Sequence, residues 1–78
     1  MHLGVMHLRL IRIREAAQML GVNAQTLRRR SEGRDYVELY GHQIRVYRMD
    51  LRPDAERRFD ADEIGRVLAR VLKARGMS

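Results

Sequence analysis

The run Leu20-Gly21-Val22-Asn23 places a helix terminator and a helix starter two residues apart. Glycine takes the left-handed conformation that ends a helix, and Asn is among the best N-caps. Before it, IREAAQML (residues 13–20) spaces Ile13, Ala16, Ala17 and Leu20 at helical intervals. After it, AQTLRRRSE carries Leu27 inward and closes at Gly33. Val22 tucks into the core at the corner. Two short helices joined by so tight a corner must cross sharply, which is the outline of a helix-turn-helix.

Past Gly33 the period changes. Residues 36–40 (YVELY) and 44–48 (IRVYR) alternate, with Val37 and Leu39, or Tyr36 and Tyr40, on one face. Gly41 and His42 are expected to form the turn between them. A second turn centres on Arg52, Pro53 and Asp54, and ERRF (56–59) returns as a short strand. Two hairpins in series predict a small three-stranded antiparallel sheet whose outer tip near Pro53 forms a wing. Phe59, directly before the next helix, is expected in the core. Asp60 as N-cap with Glu63 three residues on reads as a capping box. From there Ile64, Val67, Leu68, Val71 and Leu72 make one apolar stripe along about four helical turns. The stripe packs on the helix pair and the sheet, with its far end at Val71 and Leu72 open to a second subunit. The predicted class is α+β: two short helices, a three-stranded antiparallel wing sheet and a C-terminal helix. Residues 1–8 are expected as a flexible N-terminus, with Leu8, Leu10 or Ile11 packing on the body, and residues 9–78 as one domain.

At 78 residues the chain has room for a single small core and none for a catalytic pocket beside it, so a binding module is expected rather than an enzyme. It has no cysteine, which excludes a disulfide scaffold, a thiolate metal site and a thiol nucleophile. His2, His7 and His42 lack metal-ligand spacing, and Asp50, Asp54, Glu56 and Asp60 lack the glycine and terminal glutamate of a calcium loop. No cofactor is expected. Arg9, Arg12, Arg14 and Glu15 interrupt the apolar start, so neither a membrane span nor a signal peptide is read there. The expected location is the cytoplasm, at the nucleoid.

The formal charge is +6, and residues 9–34 hold seven arginines against Glu15 and Glu32, a net of +5. Charge gathered on a helical segment favours a phosphate-facing surface over general solubility. Fifteen of the 16 basic residues are arginine, the better side chain for bidentate contacts to phosphate or guanine. Arg28 and Arg29 lie on the outward side of the second helix, and Gln25 and Thr26 at its start. Arg30 is expected to lay its stem on the core with its head toward a phosphate. Arg12 and Arg14 flank the start of the first helix, where an anion is favoured. Arg52 stands at the wing tip, in place for a minor groove. Arg57 and Arg58 alternate across a strand, so only one of them is expected to face a phosphate partner comfortably, with a salt bridge to Glu56 or Asp60 as the alternative.

The run IREAAQMLGVNAQTLRRR (13–30) resembles the helix-turn-helix of MerR-type and excisionase-type winged-helix proteins, in Glu15, Ala16, Ala17, Leu20, Gly21, Val22, Thr26, Leu27 and Arg28. RRFDADEIGRVL (57–68) resembles the wing's return strand and closing helix in the same proteins. Together they cover about 30 residues in the family's order. Arg30 stands where the family carries an aromatic residue, and Asp54, Ala55 and Glu56 replace a Gly-Gly-His ahead of the arginine pair. The resemblance implies sequence-specific binding of double-stranded DNA, with the second helix in the major groove and the wing alongside. Arg28 is then the leading base or phosphate contact. The chain ends about one helix after the wing, as short stand-alone members do, and these implied activities need several copies on adjacent sites. Two roles follow: a small transcriptional regulator, or an excisionase that bends attachment-site DNA for an integrase. The competing class is a protein-binding adaptor or antagonist on the same scaffold.

Overall fold

The computed structural model describes residues 9–52 and 55–76. The expectations placed on residues 1–8, His2 and His7 among them, and on the tip residues Pro53 and Asp54 lie outside the described residues.

Helix α1 (Ile13–Leu20) ends at Gly21, whose φ of 72° makes the left-handed stop that its position demands. Two residues later Asn23 caps α2 (Ala24–Arg30), its side-chain oxygen accepting the Gln25 amide at 2.7 Å. The corner is closed by the Val22 amide donating to the Ala17 carbonyl, and Val22 packs half-buried against the core. The arrangement is consistent with a helix-turn-helix. Ala16 and Ala17 are buried, and their small side chains let α1 pack against α2 and against α3 (Ala61–Ala74).

The strands divide differently from the expectation. Strands β2 (Tyr36–Leu39) and β3 (His42–Arg45) form a two-stranded hairpin of their own. The three-stranded sheet is β1 (Leu10–Arg12), β5 (Arg57–Asp60) and β4 (Tyr47–Arg48), with β5 in the middle. The chain passes from one sheet to the other at Val46, which is buried and whose amide still bonds the Asp35 carbonyl. A single bend there turns what reads as one strand into two. Leu10 and Ile11, expected only to pack on the body, instead form an edge strand opposite Asp60 and Phe59. A three-residue segment has no periodicity of its own, so only the edge offered by β5 makes it a strand.

The hairpin turn is Tyr40-Gly41, one residue earlier than expected, and both residues have positive φ (54° and 79°). Leu39 faces His42, so this is a two-residue turn with the twist that such hairpins require. Val37, Leu39, Ile44 and Val46 turn inward to meet Leu20, Leu27, Phe59 and Ile64. Phe59 is fully buried, as expected.

In α3, Asp60 caps as expected, accepting the Asp62 amide at 3.0 Å. Glu63 does not complete a capping box. It reaches β3 and accepts the Arg45 amide through both oxygens at 3.2 and 3.4 Å. The alternation fixed by the Val46–Asp35 bond turns the Arg45 N–H away from β2, and Glu63 supplies the acceptor that the ladder lacks. Ile64 and Val67 are buried, Leu68 and Val71 half-buried, and Leu72 is exposed, so the apolar stripe runs past the body of the domain.

Candidate functional site

Of the ten residues singled out from sequence, four come together. Arg12 and Arg14 at the start of α1, Arg28 on α2 and Arg57 on β5 line one open cleft of about 510 Å³. Ile13, Ala55 and two carboxylates, Glu15 and Glu56, complete its lining. The convergence follows from the fold. The tight corner brings the outward face of α2 alongside the start of α1, and pairing of β1 with β5 carries Arg57 to the same place.

The arginines of the cleft differ in their commitments. Arg12 pairs with Glu56 at 3.4 Å, and Glu56 also takes Arg58 at 2.9 Å. Hydrogen bonding from Arg58 outweighs the upward effect of desolvation, and the charges of Arg58 and Arg12 add to it, so the Glu56 carboxyl is held below the ordinary range. Arg14, Arg28 and Arg57 form no ion pair among the described residues. Arg57 is the most confined of these. Its Nε is shut off from solvent and has no hydrogen-bond partner among the described residues. Burial, and then repulsion from Arg48 and Arg28, lower its pKa, with Glu32 opposing.

The other candidates are dispersed. Gln25 is exposed and Thr26 half-buried at the start of α2. Arg29 and Arg30 face a separate shallow depression with Arg34 and Glu38. Arg30 is exposed, and its guanidinium donates to the Glu38 carbonyl at 3.4 Å instead of laying its stem on the core. Its neighbour Ser31 takes the buried position, with its hydroxyl on the Arg28 carbonyl at 2.9 Å. Arg52 pairs with Asp50 at 3.2 Å. Arg58 is engaged by Glu56, the pairing weighed from sequence as its structural alternative.

One arginine that shapes this surface was not singled out. Arg48 donates to the Arg34 carbonyl at 2.8 Å and the Ser31 carbonyl at 2.9 Å, immediately past the end of α2. It bonds two carbonyls of the turn that follows α2, and it holds a fixed positive charge beside Arg57. Arginine in a short strand gives no sign of this, because the partners lie 14 and 17 residues away in sequence.

Among the described residues, no group of three or more His, Asp or Glu side chains is placed to hold a metal ion, and no helix is long and apolar enough to cross a membrane. What the surface offers chemically is a cleft lined by arginines from several elements. No family model, no curated protein and no solved structure matches the chain.

Proposed function

We propose that the protein is a small DNA-binding regulator of the winged helix-turn-helix type, with α2 in the major groove and the β4–β5 hairpin as its wing. The observation that carries this reading is the shared cleft, which Arg28 on α2, Arg14 on α1 and Arg57 on β5 line together. Gln25 and Arg29, exposed on α2, read base edges, and Arg28 beside them contacts a base or the adjoining phosphate. Arg12, Arg14 and Arg57 take the flanking phosphates, and Arg52 the minor groove. A single copy of so small a module buries about 600–1,000 Å² on DNA, so useful affinity comes from several copies on adjacent sites. The reading involves no cofactor and no catalysis.

The test is selection of bound duplexes from a random pool with the full chain, followed by shift assays across a salt series. An enriched motif is expected, and so is a logarithmic salt slope of about −4, from roughly four or five phosphates neutralised by these arginines. A pool without enrichment, together with no shift at low salt, overturns the reading. Mapping of bound DNA across the source genome then separates the two roles. Clustered sites at an attachment locus indicate excision with an integrase, and dispersed promoter sites indicate regulation of transcription.

A further inference from the structure

We propose that the cleft between Arg14, Arg28 and Arg57 is a discrete seat for one phosphate group, and not merely part of a diffuse basic surface. The proposal deepens the DNA reading, and depends on it only for where the phosphate comes from: a backbone diester or a free phosphate ion.

Three observations carry it. First, only part of the positive charge in the cleft is held in ion pairs. Glu56 is occupied by Arg12 and Arg58, while Arg14, Arg28 and Arg57 have no ion pair among the described residues. Second, the positive charge around Arg57 is locked in place. Arg48 is held by the carbonyls of Ser31 and Arg34, so it does not swing away to relieve its neighbour. Third, Arg57 lines the cleft while its Nε is sheltered from water and lacks an acceptor among the described residues, a costly arrangement that is relieved if the side chain turns its Nε–H toward an anion in the cleft.

The start of α1 adds to this. Arg12, at its N-cap, makes no side-chain cap, and Ile13, Arg14 and Glu15 of the first turn line the cleft. A negative charge there meets amide donors as well as guanidinium groups. The chemistry favours phosphate over carboxylate. Arginines drawn from α1, α2 and β5 line the cleft, and donors on three separate elements suit a tetrahedral group with several oxygens better than a planar one with two. Glu15, also in the first turn, and Glu32, close enough to act on Arg57, have no ion pair among the described residues, and they limit how much anionic charge the seat accepts.

The experiment follows the backbone amides and arginine side-chain Nε–H signals of the full chain by NMR. One arm adds sodium phosphate, a second adds sodium chloride at matched ionic strength, and a third adds a short DNA duplex. Phosphate is expected to give saturable shifts at Arg57 Nε and at the amides of Arg14 and Glu15, and chloride to leave them unsaturated. Arg57→Gln and, as a surface variant that spares the fold, Arg28→Gln should each weaken phosphate by about 10-fold, as loss of a charge-assisted hydrogen bond does. Phosphate and chloride titrations that coincide, or saturation unchanged in both variants, overturn the seat. A duplex that binds without moving Arg57 Nε or the α1 amides also overturns it and leaves the DNA reading standing. Saturation by phosphate with no duplex binding supports the seat and overturns the DNA reading.

Discussion

Tyr40 joins the hairpin to the helix pair at a cost that can be measured. It occupies the first position of a turn in which both residues have positive φ, at 54°. A tyrosine there gives up about 1–2 kcal/mol relative to ordinary backbone conformations. Its hydroxyl donates to the Leu20 carbonyl at 2.6 Å, at the end of α1 and directly before the corner. That carbonyl is among those a helix terminus leaves without an intrahelical partner. Tyr40→Phe keeps the ring and the backbone strain and removes only the bond, so the expected loss is about 1 kcal/mol. In a domain of this size that lowers Tm by roughly 4–8 °C. The strain is isolated by a second pair. Tyr40→Ala and Tyr40→Asn both lack the ring and the bond, but Asn tolerates the left-handed conformation and with Gly41 completes a favoured Asn-Gly turn. Asn should therefore exceed Ala by about 1 kcal/mol. Urea denaturation at constant m-value measures all four proteins. If Tyr40→Phe matches the parent and Tyr40→Ala matches Tyr40→Asn, neither the bond nor the strain contributes as argued.

Other perturbations address the cleft and its supports. Arg28→Ala should weaken binding to a selected duplex by about 5- to 150-fold, the range of one good base contact, and a shift assay at low salt that shows no change refutes the assignment. Arg48→Met keeps the apolar stem but loses both bonds to the turn after α2, and should destabilise by about 2 kcal/mol in denaturant titrations. Glu56 has a folded pKa held below the ordinary 4.5, so its contribution is present above that value and fades as pH falls through the folded pKa. Glu56→Gln should flatten this acid limb of the stability curve. It should also tighten duplex binding, because it releases Arg12 and removes a negative charge from the cleft; weaker binding by this variant would contradict the electrostatics.

What was legible in the sequence is what neighbouring residues decide. Gly21 and Asn23 end and start helices through their own backbone and side chain, and α1 spans the expected residues Ile13–Leu20. The stripe on α3 is readable for the same reason. The illegible parts depend on partners distant in sequence. Leu10–Arg12 is a strand only because β5 offers an edge, and the division of the sheet depends on a bend at Val46. Glu63 at the third helical position satisfies the capping-box spacing, yet an Arg45 amide 18 residues away captures it. The site divides along the same line. Residue type and helical phase place Arg28 outward, but only tertiary pairing decides that Arg57 joins it while Arg58 is taken by Glu56 and Arg52 by Asp50.

The supports of α2 all act through its backbone or its inward face, and this separates stability from recognition. Asn23 caps its start, Leu27 and Ser31 are buried, Arg48 binds carbonyls just past its end, and Tyr40 holds the corner before it. None of these contacts uses the side chains of Gln25, Arg28 or Arg29, which are exposed. Replacing all three by Ala should therefore leave stability within about 0.5 kcal/mol of the parent, as for surface sites generally. The sign should lean toward stabilisation, since Ala favours helix and the loss of Arg28 relieves repulsion on Arg57. Duplex selection by the same protein should lose its motif while residual binding persists through Arg14 and Arg57. A triple variant that unfolds, or one that still enriches the parent motif, would show that α2 is not a braced scaffold carrying an independent reading face.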